Sequence, residues 1–138
     1  MGDVGRVHHL ELWVEDLETG EREWGWLLGR LGYVCTDRWA AGQSWTLGDT
    51  YVVLEAGPAR VGGRHDRLRA GLNHVAFHAG TPESLEAIAL EAVGRGWTLM
   101  FPDRHPHAGG PQHYAAFLEN TAGFEVELVA EPASGGDS

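Results

Sequence analysis

The chain contains 138 residues, of which 43% are hydrophobic and 22% charged, a mixture that fits one globular domain or two small fused repeats. Ten basic and twenty acidic residues give a net charge of −10. A field of that sign repels phosphate backbones and anionic membranes. We therefore expect a small-molecule ligand and exclude nucleic acid and membranes as partners.

The rare residue types restrict the chemistry further. All ten basic residues are arginine, which excludes lysine Schiff bases and phosphate-loop lysines. The single cysteine, Cys35, excludes an intrachain disulfide and a thiolate-rich zinc site. No stretch reaches the roughly 20 apolar residues of a membrane span, and the first residues do not resemble a signal peptide. We expect a cytoplasmic protein.

The first half of the chain reads as a strand, a helix and then further strands. Residues 7–14 alternate as a strand does. Asp16 can cap a helix over about residues 17–31, where leucines and a tryptophan make one apolar stripe. Two β-like segments, 44–47 and 50–56, follow on either side of a glycine turn.

The second half repeats this order. A strand over 72–79 precedes a helix that begins at Thr81-Pro82 and runs to about residue 95. Two β-like segments, 114–119 and 124–130, close the half. The order βαβββ therefore occurs twice in the chain.

The repeat predicts an α+β fold in which two βαβββ modules form a curved mixed sheet around a shared cavity. We place module one at about residues 6–57 and module two at about 71–131, within a single domain, 1–138. Proline, glycine and arginine mark 58–70 as a linker, and 132–138 reads as a frayed tail.

Side-chain alternation in the predicted strands separates an apolar face from a face with histidines, carboxylates and aromatic rings. With helices over the apolar faces, the other faces would line one concave surface suited to a ligand. The residues on it are His9, Glu11 and Trp13 in the first strand, Tyr51, Val53 and Glu55 in the strand that closes module one, His74, Ala76 and His78 in the first strand of module two, and Glu125 and Glu127 in the last strand.

Three segments resemble the signatures of the vicinal oxygen chelate superfamily, which includes glyoxalase I, extradiol dioxygenases, methylmalonyl-CoA epimerase, and fosfomycin and bleomycin resistance proteins. They are residues 9–17 (HLELWVEDL), 72–77 (LNHVAF) and 123–129 (GFEVELV). The resemblance extends over almost the whole chain. The turn before the last segment reads Asn120-Thr121-Ala122-Gly123 where the family has Asp-Pro-Asp-Gly, which indicates a divergent branch.

The resemblance implies a divalent metal ion bound by His9, His74 and Glu127. The fourth ligand position of glyoxalases and epimerases falls on Val53, which cannot bind a metal, although a register slip would let Glu55 replace it. Two histidines and one carboxylate leave positions open for substrate or O₂ and suit Fe, with Mn, Zn or Ni as the other possibilities. A divalent ion in this set carries a net charge of +1 and would stabilise a substrate oxyanion as a Lewis acid.

Other residues of these faces and of the long loop before 114 are candidates for substrate contact and proton transfer. Tyr114 resembles the strand-borne tyrosine of ring-cleaving dioxygenases, so Tyr114 or His113 would be the catalytic residue that moves the proton. The candidates for substrate binding are Glu11, Trp13, Trp45, Tyr51, His78, Phe101 and Glu125. The alternatives are a solvated face for the carboxylates, a plain wall for His78 and a mobile surface loop for the loop histidines. The linker arginines, Arg67 among them, either bind an anionic substrate or lie in solvent.

Two classes of function compete on this sequence. The first is a metal-dependent lyase or dioxygenase of the glyoxalase/dioxygenase group, acting on a small substrate chelated through vicinal oxygens at the 2-His-1-Glu site. The alternative is a metal-independent, bleomycin-resistance-like protein that sequesters an antibiotic, for which the acidic charge and six tryptophans are suited. Family members of this size usually pair, so we expect a homodimer.

Overall fold

Two four-stranded mixed sheets form the framework of residues 3–131, the part of the chain that this computed structural model describes. The chain divides into two units, Met1–Arg64 and His65–Ser138, with the boundary inside the segment 58–70. The tail predicted over 132–138 lies outside the described residues.

The first unit has one strand, a broken helix and three further strands, and its sheet has the order β1-β4-β3-β2. Strand β1 runs parallel to β4, while β3 is antiparallel to both β2 and β4. The elements are β1 (His9–Trp13), α1 (Leu17–Gly20), a π-helical turn (Glu21–Gly25), α2 (Trp26–Arg30), β2 (Val34–Trp39), β3 (Gly42–Leu47) and β4 (Thr50–Glu55).

The helix predicted over 17–31 is present, but a π-helical turn divides it. Asp16 caps its start, because the carboxylate accepts a hydrogen bond of 2.9 Å from the Thr19 amide. A β-carbon at Gly25 would come within 2.9 Å of the Trp45 ring. The glycine therefore lets the helix backbone lie directly on the indole.

The second unit repeats the topology with the order β5-β8-β7-β6. Strand β5 is parallel to β8, and β7 is antiparallel to both β6 and β8. The α3 helix begins at Pro82 behind Thr81, whose hydroxyl accepts a hydrogen bond of 3.1 Å from the Ser84 amide. The elements are β5 (Val75–His78), α3 (Pro82–Val93), β6 (Trp97–Met100), β7 (Ala115–Asn120) and β8 (Glu125–Val129).

Each sheet has a buried apolar face, as the alternation predicts, while the central strand β8 also buries carboxylates on its other face. Full burial of a leucine side chain is worth about 1.5–3 kcal/mol, so these positions hold the modules together. Fully buried side chains are Leu27, Leu28 and Leu54 in the first unit, and Leu85, Leu118, Val126 and Leu128 in the second. The predicted α+β class and the repeated order βαβββ are confirmed.

Within residues 3–131, no helix combines the length and the apolar character that crossing a membrane requires.

Candidate active site

Two carboxylates are buried on β8, a central strand of the second sheet. Glu125 is 5% exposed and Glu127 is 8% exposed. The turn before β8 fixes where they lie, because the Asn120 side-chain oxygen accepts hydrogen bonds from the Ala122 and Phe124 amides at 3.1 and 2.9 Å. The backbone dihedral φ of +92° at Gly123 favours glycine there. The departure from the family's turn sequence therefore leaves the turn well supported.

His74, directly before β5, presents its imidazole to Glu127. The His74 Nε2 atom lies 3.1 Å from Glu127 Oε1. Its Nδ1–H donates to the Asn73 amide oxygen at 2.7 Å, and the Asn73 amide nitrogen donates to the Arg67 carbonyl at 3.0 Å. Because Nδ1 carries the donated proton, Nε2 needs a second ring proton or a metal ion between itself and the carboxylate.

His113 contacts the other oxygen of the same carboxylate, since its Nε2 donates to Glu127 Oε2. The His113 and His74 side chains are 40% and 34% exposed, while the Glu127 side chain is 10% exposed. Two imidazoles at the surface therefore cover one buried carboxylate. Both imidazoles are therefore accessible to solvent, while the carboxylate between them is largely covered.

Aromatic rings border this group. Phe117 pairs with Glu127 across the β7–β8 ladder, and its ring lies edge-on to the His74 ring at 6.1 Å between centroids. Phe101 in turn lies edge-on to Phe117 at 5.8 Å. Phe101, which was predicted to bind substrate, therefore lies beside Phe117, and Phe117 borders His74 and Glu127. The sequence pattern did not single out Phe117.

Glu125 faces a charge from the segment before β5. Arg67 Nη1 lies 3.3 Å from Glu125 Oε1, a distance typical of an ion pair but without hydrogen-bond geometry. Burial raises the pKa of the Glu125 carboxyl above its usual range, and the positive charges of Arg67 and His74 oppose that increase. Of the linker arginines, Arg67 is therefore engaged at the polar face of the second sheet.

Tyr114 lies on the opposite face of its strand from Phe117. Its hydroxyl donates to Glu86 on α3, and this hydrogen bond raises the pKa of Tyr114 to about 12. His105 also donates to Glu86, at 3.0 Å. Burial by itself raises the pKa of Glu86, but the two hydrogen bonds outweigh it and leave that pKa below its usual value. Of the two candidates for proton transfer, the structure brings His113 to Glu127 and pairs Tyr114 with the helix.

Two residues predicted to contact substrate have other surroundings. Trp45 pairs with Val52 across β3–β4 and so shares the helix-covered face, where its indole nitrogen donates to the buried Gln43 oxygen at 2.7 Å. This is a packing position on the face opposite Tyr51. His78 is 85% exposed in its side chain and lies 2.7 Å from Glu131.

The polar face of the first sheet is aromatic and acidic. His9 stacks on Tyr51 with 4.5 Å between ring centroids, and His9 Nδ1 lies 2.9 Å from His8 Nδ1. The indole of Trp13 donates to Glu11 at 2.8 Å. These predicted residues are thus near neighbours on β1 and β4.

The strand register identifies which residue of β4 corresponds to Glu127. Val53 pairs with Glu11 in the parallel β1–β4 ladder, as Glu127 pairs with Ala76 in the β5–β8 ladder. The β1–β4 register continues unbroken to Glu55, whose carboxylate accepts a hydrogen bond of 3.0 Å from the Trp39 indole. The fourth family position therefore remains a valine, without the slip that would bring Glu55 into it.

Across the described residues 3–131, no three His, Cys, Asp or Glu side chains are already grouped as a bound metal ion would require. The nearest approach to such a group is the pairing of His74 and of His113 with opposite oxygens of Glu127.

Comparison with known proteins assigns this architecture to a family. The model of the glyoxalase/bleomycin resistance protein/dioxygenase superfamily matches residues 8–117, which extend from just before β1 to the middle of β7. The chain belongs to this superfamily.

Individual relatives agree with that assignment. The uncharacterized protein YqjT of Bacillus subtilis (strain 168) is 41% identical over 125 residues, which cover 90% of this chain and 98% of that protein. A crystal structure from Bacillus halodurans, whose glyoxalase identity is provisional, has a TM-score of 0.85 and 41% identity over 93% of this chain and 97% of its own.

A lactoylglutathione lyase from Agrobacterium tumefaciens has a TM-score of 0.62 and 16% identity over 91% of this chain and 93% of its own, a likeness that extends to the fold alone.

Proposed function

We propose that the chain is a metal-dependent enzyme of this superfamily, acting on a small substrate that presents two neighbouring oxygens. The observation that carries the proposal is the buried Glu127 carboxylate beneath two imidazoles, one of which directs Nε2 at it across 3.1 Å. The family assignment supports a glyoxalase-like or dioxygenase-like reaction, and the reaction type and substrate are part of the proposal.

The donors present fit a divalent ion. An imidazole nitrogen and a carboxylate oxygen that each lie about 2.1 Å from one ion are roughly 3.0–3.4 Å apart for angles near 90–110°. His74 Nε2 and Glu127 Oε1 already have this separation. The Nδ1–H of His74 is held by Asn73, as the second nitrogen of a metal-binding histidine usually is by a hydrogen-bond acceptor. His9 is the third ligand that the family resemblance implies, and it stays a prediction.

In this proposal the chain's own residues divide the work. His74 and Glu127 would hold the ion, and a bound ion would supply Lewis-acid stabilisation to substrate oxygens. His113 would donate its Nε2 proton, which it shares with Glu127 in the structure, to a substrate oxygen, and the Nε2 lone pair left behind would then take a proton back. Phe117 and Phe101 offer an apolar border against the carbon skeleton of a small substrate.

Metal titration of chelator-treated protein tests the proposal. We expect Mn²⁺ and Zn²⁺ to bind the wild-type chain with one site, measured by calorimetry and by loss of the free Mn²⁺ EPR signal. His74→Ala and Glu127→Gln should weaken binding at least tenfold, since each removes a ligand or its charge. His78→Ala is the matched control, because His78 lies four residues after His74, on β5, but is exposed and paired with Glu131. Absence of binding, or equal weakening by His78→Ala, would refute the proposal.

A metal-independent, antibiotic-sequestering function is the second candidate, favoured by the face of the first sheet. Trp13 and Trp39 are 50% and 41% exposed, and both indoles are held by carboxylates, those of Glu11 and Glu55. Flat rings beside negative charge suit a cationic aromatic drug. Tight quenching of tryptophan fluorescence by bleomycin in metal-free protein, unchanged in Glu127→Gln, would favour this candidate over the enzyme.

We also propose that the chain forms a homodimer, as the family resemblance implies. Sedimentation equilibrium should give twice the chain mass of 15.0 kDa at micromolar concentration. A mass of one chain would contradict this.

A further inference from the structure

We infer that Glu86 is a positioning residue: its carboxylate holds two points of the loop 101–114, His105 and Tyr114, so that the His113 imidazole is set against Glu127. The juxtaposition that carries this inference is a single helix carboxylate bound to His105 and Tyr114, next to a histidine that contacts the candidate site. The role of His113 in proton transfer rests on the proposed function, but its placement by Glu86 does not.

Glu86 joins three separate parts of the second unit. His105 Nε2 lies 3.0 Å from each Glu86 oxygen, and the Tyr114 hydroxyl donates to Glu86 Oε2. Glu86 follows Leu85, which is fully buried, so the helix backbone behind the carboxylate is fixed in the core. Charge-assisted hydrogen bonds of this kind are stronger than neutral ones. One carboxylate on a helix packed into the core therefore holds two points of the loop.

Hydrogen bonds within the loop connect the two residues that Glu86 holds. The His113 amide donates to the Gly110 carbonyl at 3.1 Å, and the Ala115 amide donates to the Pro106 carbonyl at 3.0 Å. The His107 ring nitrogen Nδ1 lies 3.2 Å from the His113 carbonyl. Backbone hydrogen bonds therefore hold the start and the end of the segment between His105 and Tyr114 together.

Because Tyr114 is held by Glu86, strand geometry determines the direction of the neighbouring His113 side chain. Neighbouring residues at the start of a strand direct their side chains to opposite faces. With Tyr114 held toward α3, the preceding imidazole is directed to the other face, where Glu127 lies. The ring also rests on Gly109, where an added β-carbon would come within 2.8 Å of His113 Cδ2. The hydrogen bond that holds Tyr114 and the contact of the ring with Gly109 therefore define the position of the His113 imidazole.

The test compares Glu86→Gln with Glu83→Gln in metal-free, full-length protein. Glu83 precedes Glu86 by one helical turn on α3, is exposed and acts on Tyr114 through its charge, so Glu83→Gln controls for the loss of one negative charge near the loop. The readout is the ring nitrogen NMR spectrum of the histidines, with amide hydrogen exchange over 105–115 measured alongside.

We expect Glu86→Gln to move the His113 ring signals toward those of a free imidazole and to speed amide exchange in the loop about tenfold, while His78 signals stay unchanged. Tyr114→Phe, which keeps the carboxylate and the His105 contact, should move the same His113 signals. If Glu86→Gln does not fold, Tyr114→Phe carries the test.

Faster loop exchange with unchanged His113 signals would overturn the inference, because Glu86 would then be a general structural anchor. An equal effect of Glu83→Gln would also overturn it. Because the spectra are recorded without metal, a failure of the chain to bind Mn²⁺ would refute the proposed function and leave this result standing.

Discussion

Removing the positive charge beside Glu125 should destabilise the second unit in a pH-dependent way. Arg67→Ala leaves a carboxylate that is 5% exposed without its ion-pair partner, 3.3 Å away in the native protein. The substitution removes no backbone hydrogen bond, and the Arg67 carbonyl that accepts from Asn73 is retained. The change therefore isolates the charge and the side-chain packing of the arginine.

The magnitude follows from the distance and the burial. The Coulomb attraction at 3.3 Å is about 5 kcal/mol with an effective dielectric constant of about 20. Breaking a buried pair by removing one partner costs about 3–5 kcal/mol. Because 25% of the Arg67 side chain is exposed, water replaces part of its effect, and we expect a loss of about 2 kcal/mol at neutral pH.

The sign of the pH dependence follows from the raised pKa of Glu125. Burial is the main cause of the increase above 4.5, and Arg67 limits it. When the pKa of a carboxyl is higher in the folded than in the unfolded state, the protein's free energy of unfolding falls as pH rises from the unfolded pKa through the folded pKa. Arg67→Ala raises the folded pKa further. Its loss of stability should therefore be small below about pH 4, where Glu125 is protonated in both states, and grow toward about pH 7.

Urea unfolding followed by tryptophan fluorescence at both pH values measures this difference in the free energy of unfolding. Arg69→Ala is the control, because Arg69 is an exposed arginine of the same segment. An equal loss at low and neutral pH would show that the arginine acts through packing and would refute the electrostatic reasoning.

Three further substitutions test other contacts. Gly109→Ala should cost about 1–2 kcal/mol in urea unfolding and disturb the His113 ring signals, because the new methyl group meets the imidazole; a neutral effect on both would contradict the close approach. Tyr114→Phe should lower the free energy of unfolding by about 1 kcal/mol at neutral pH, a value discounted for the exposure of the side chains. The loss should shrink as pH falls below 4.5, because the lowered pKa of Glu86 stabilises the fold only while that carboxyl is ionised. Acid unfolding curves check this, and a loss that persists at low pH would contradict it. Trp45→Ala should cost about 2–3 kcal/mol in unfolding, less than for a fully buried tryptophan, without changing Mn²⁺ affinity per folded molecule, and selective loss of affinity would place this indole in the site.

The periodicity of the sequence was sufficient to predict the two βαβββ modules. Alternation is a direct consequence of strand geometry, so burial of Leu12, Leu54, Val126 and Leu128 could be inferred from neighbouring residues alone. The π-helical turn was not predicted; it ends at Gly25, where the helix lies against the Trp45 ring, a contact between segments distant in sequence.

The sheet faces on which Trp45 and Tyr114 lie could have been predicted from the hairpin turns. The two-residue turn after Leu47 pairs Leu47 with Thr50, so Trp45 must pair with Val52 on the apolar face. In the second hairpin Glu119 pairs with Glu125, which sets Phe117 opposite Glu127 and leaves Tyr114 on the helix side. The missed signal was register, whereas the anchoring by Glu86 depends on a long loop whose path no local pattern determines.

The claim at the centre of this account is that His74 and Glu127 bind one divalent ion. Anomalous diffraction from Mn²⁺-soaked crystals tests it most directly. We expect one anomalous peak about 2.0–2.2 Å from both His74 Nε2 and a Glu127 oxygen. A peak only at other side chains, or no peak when calorimetry of the same sample shows no binding, would contradict the claim.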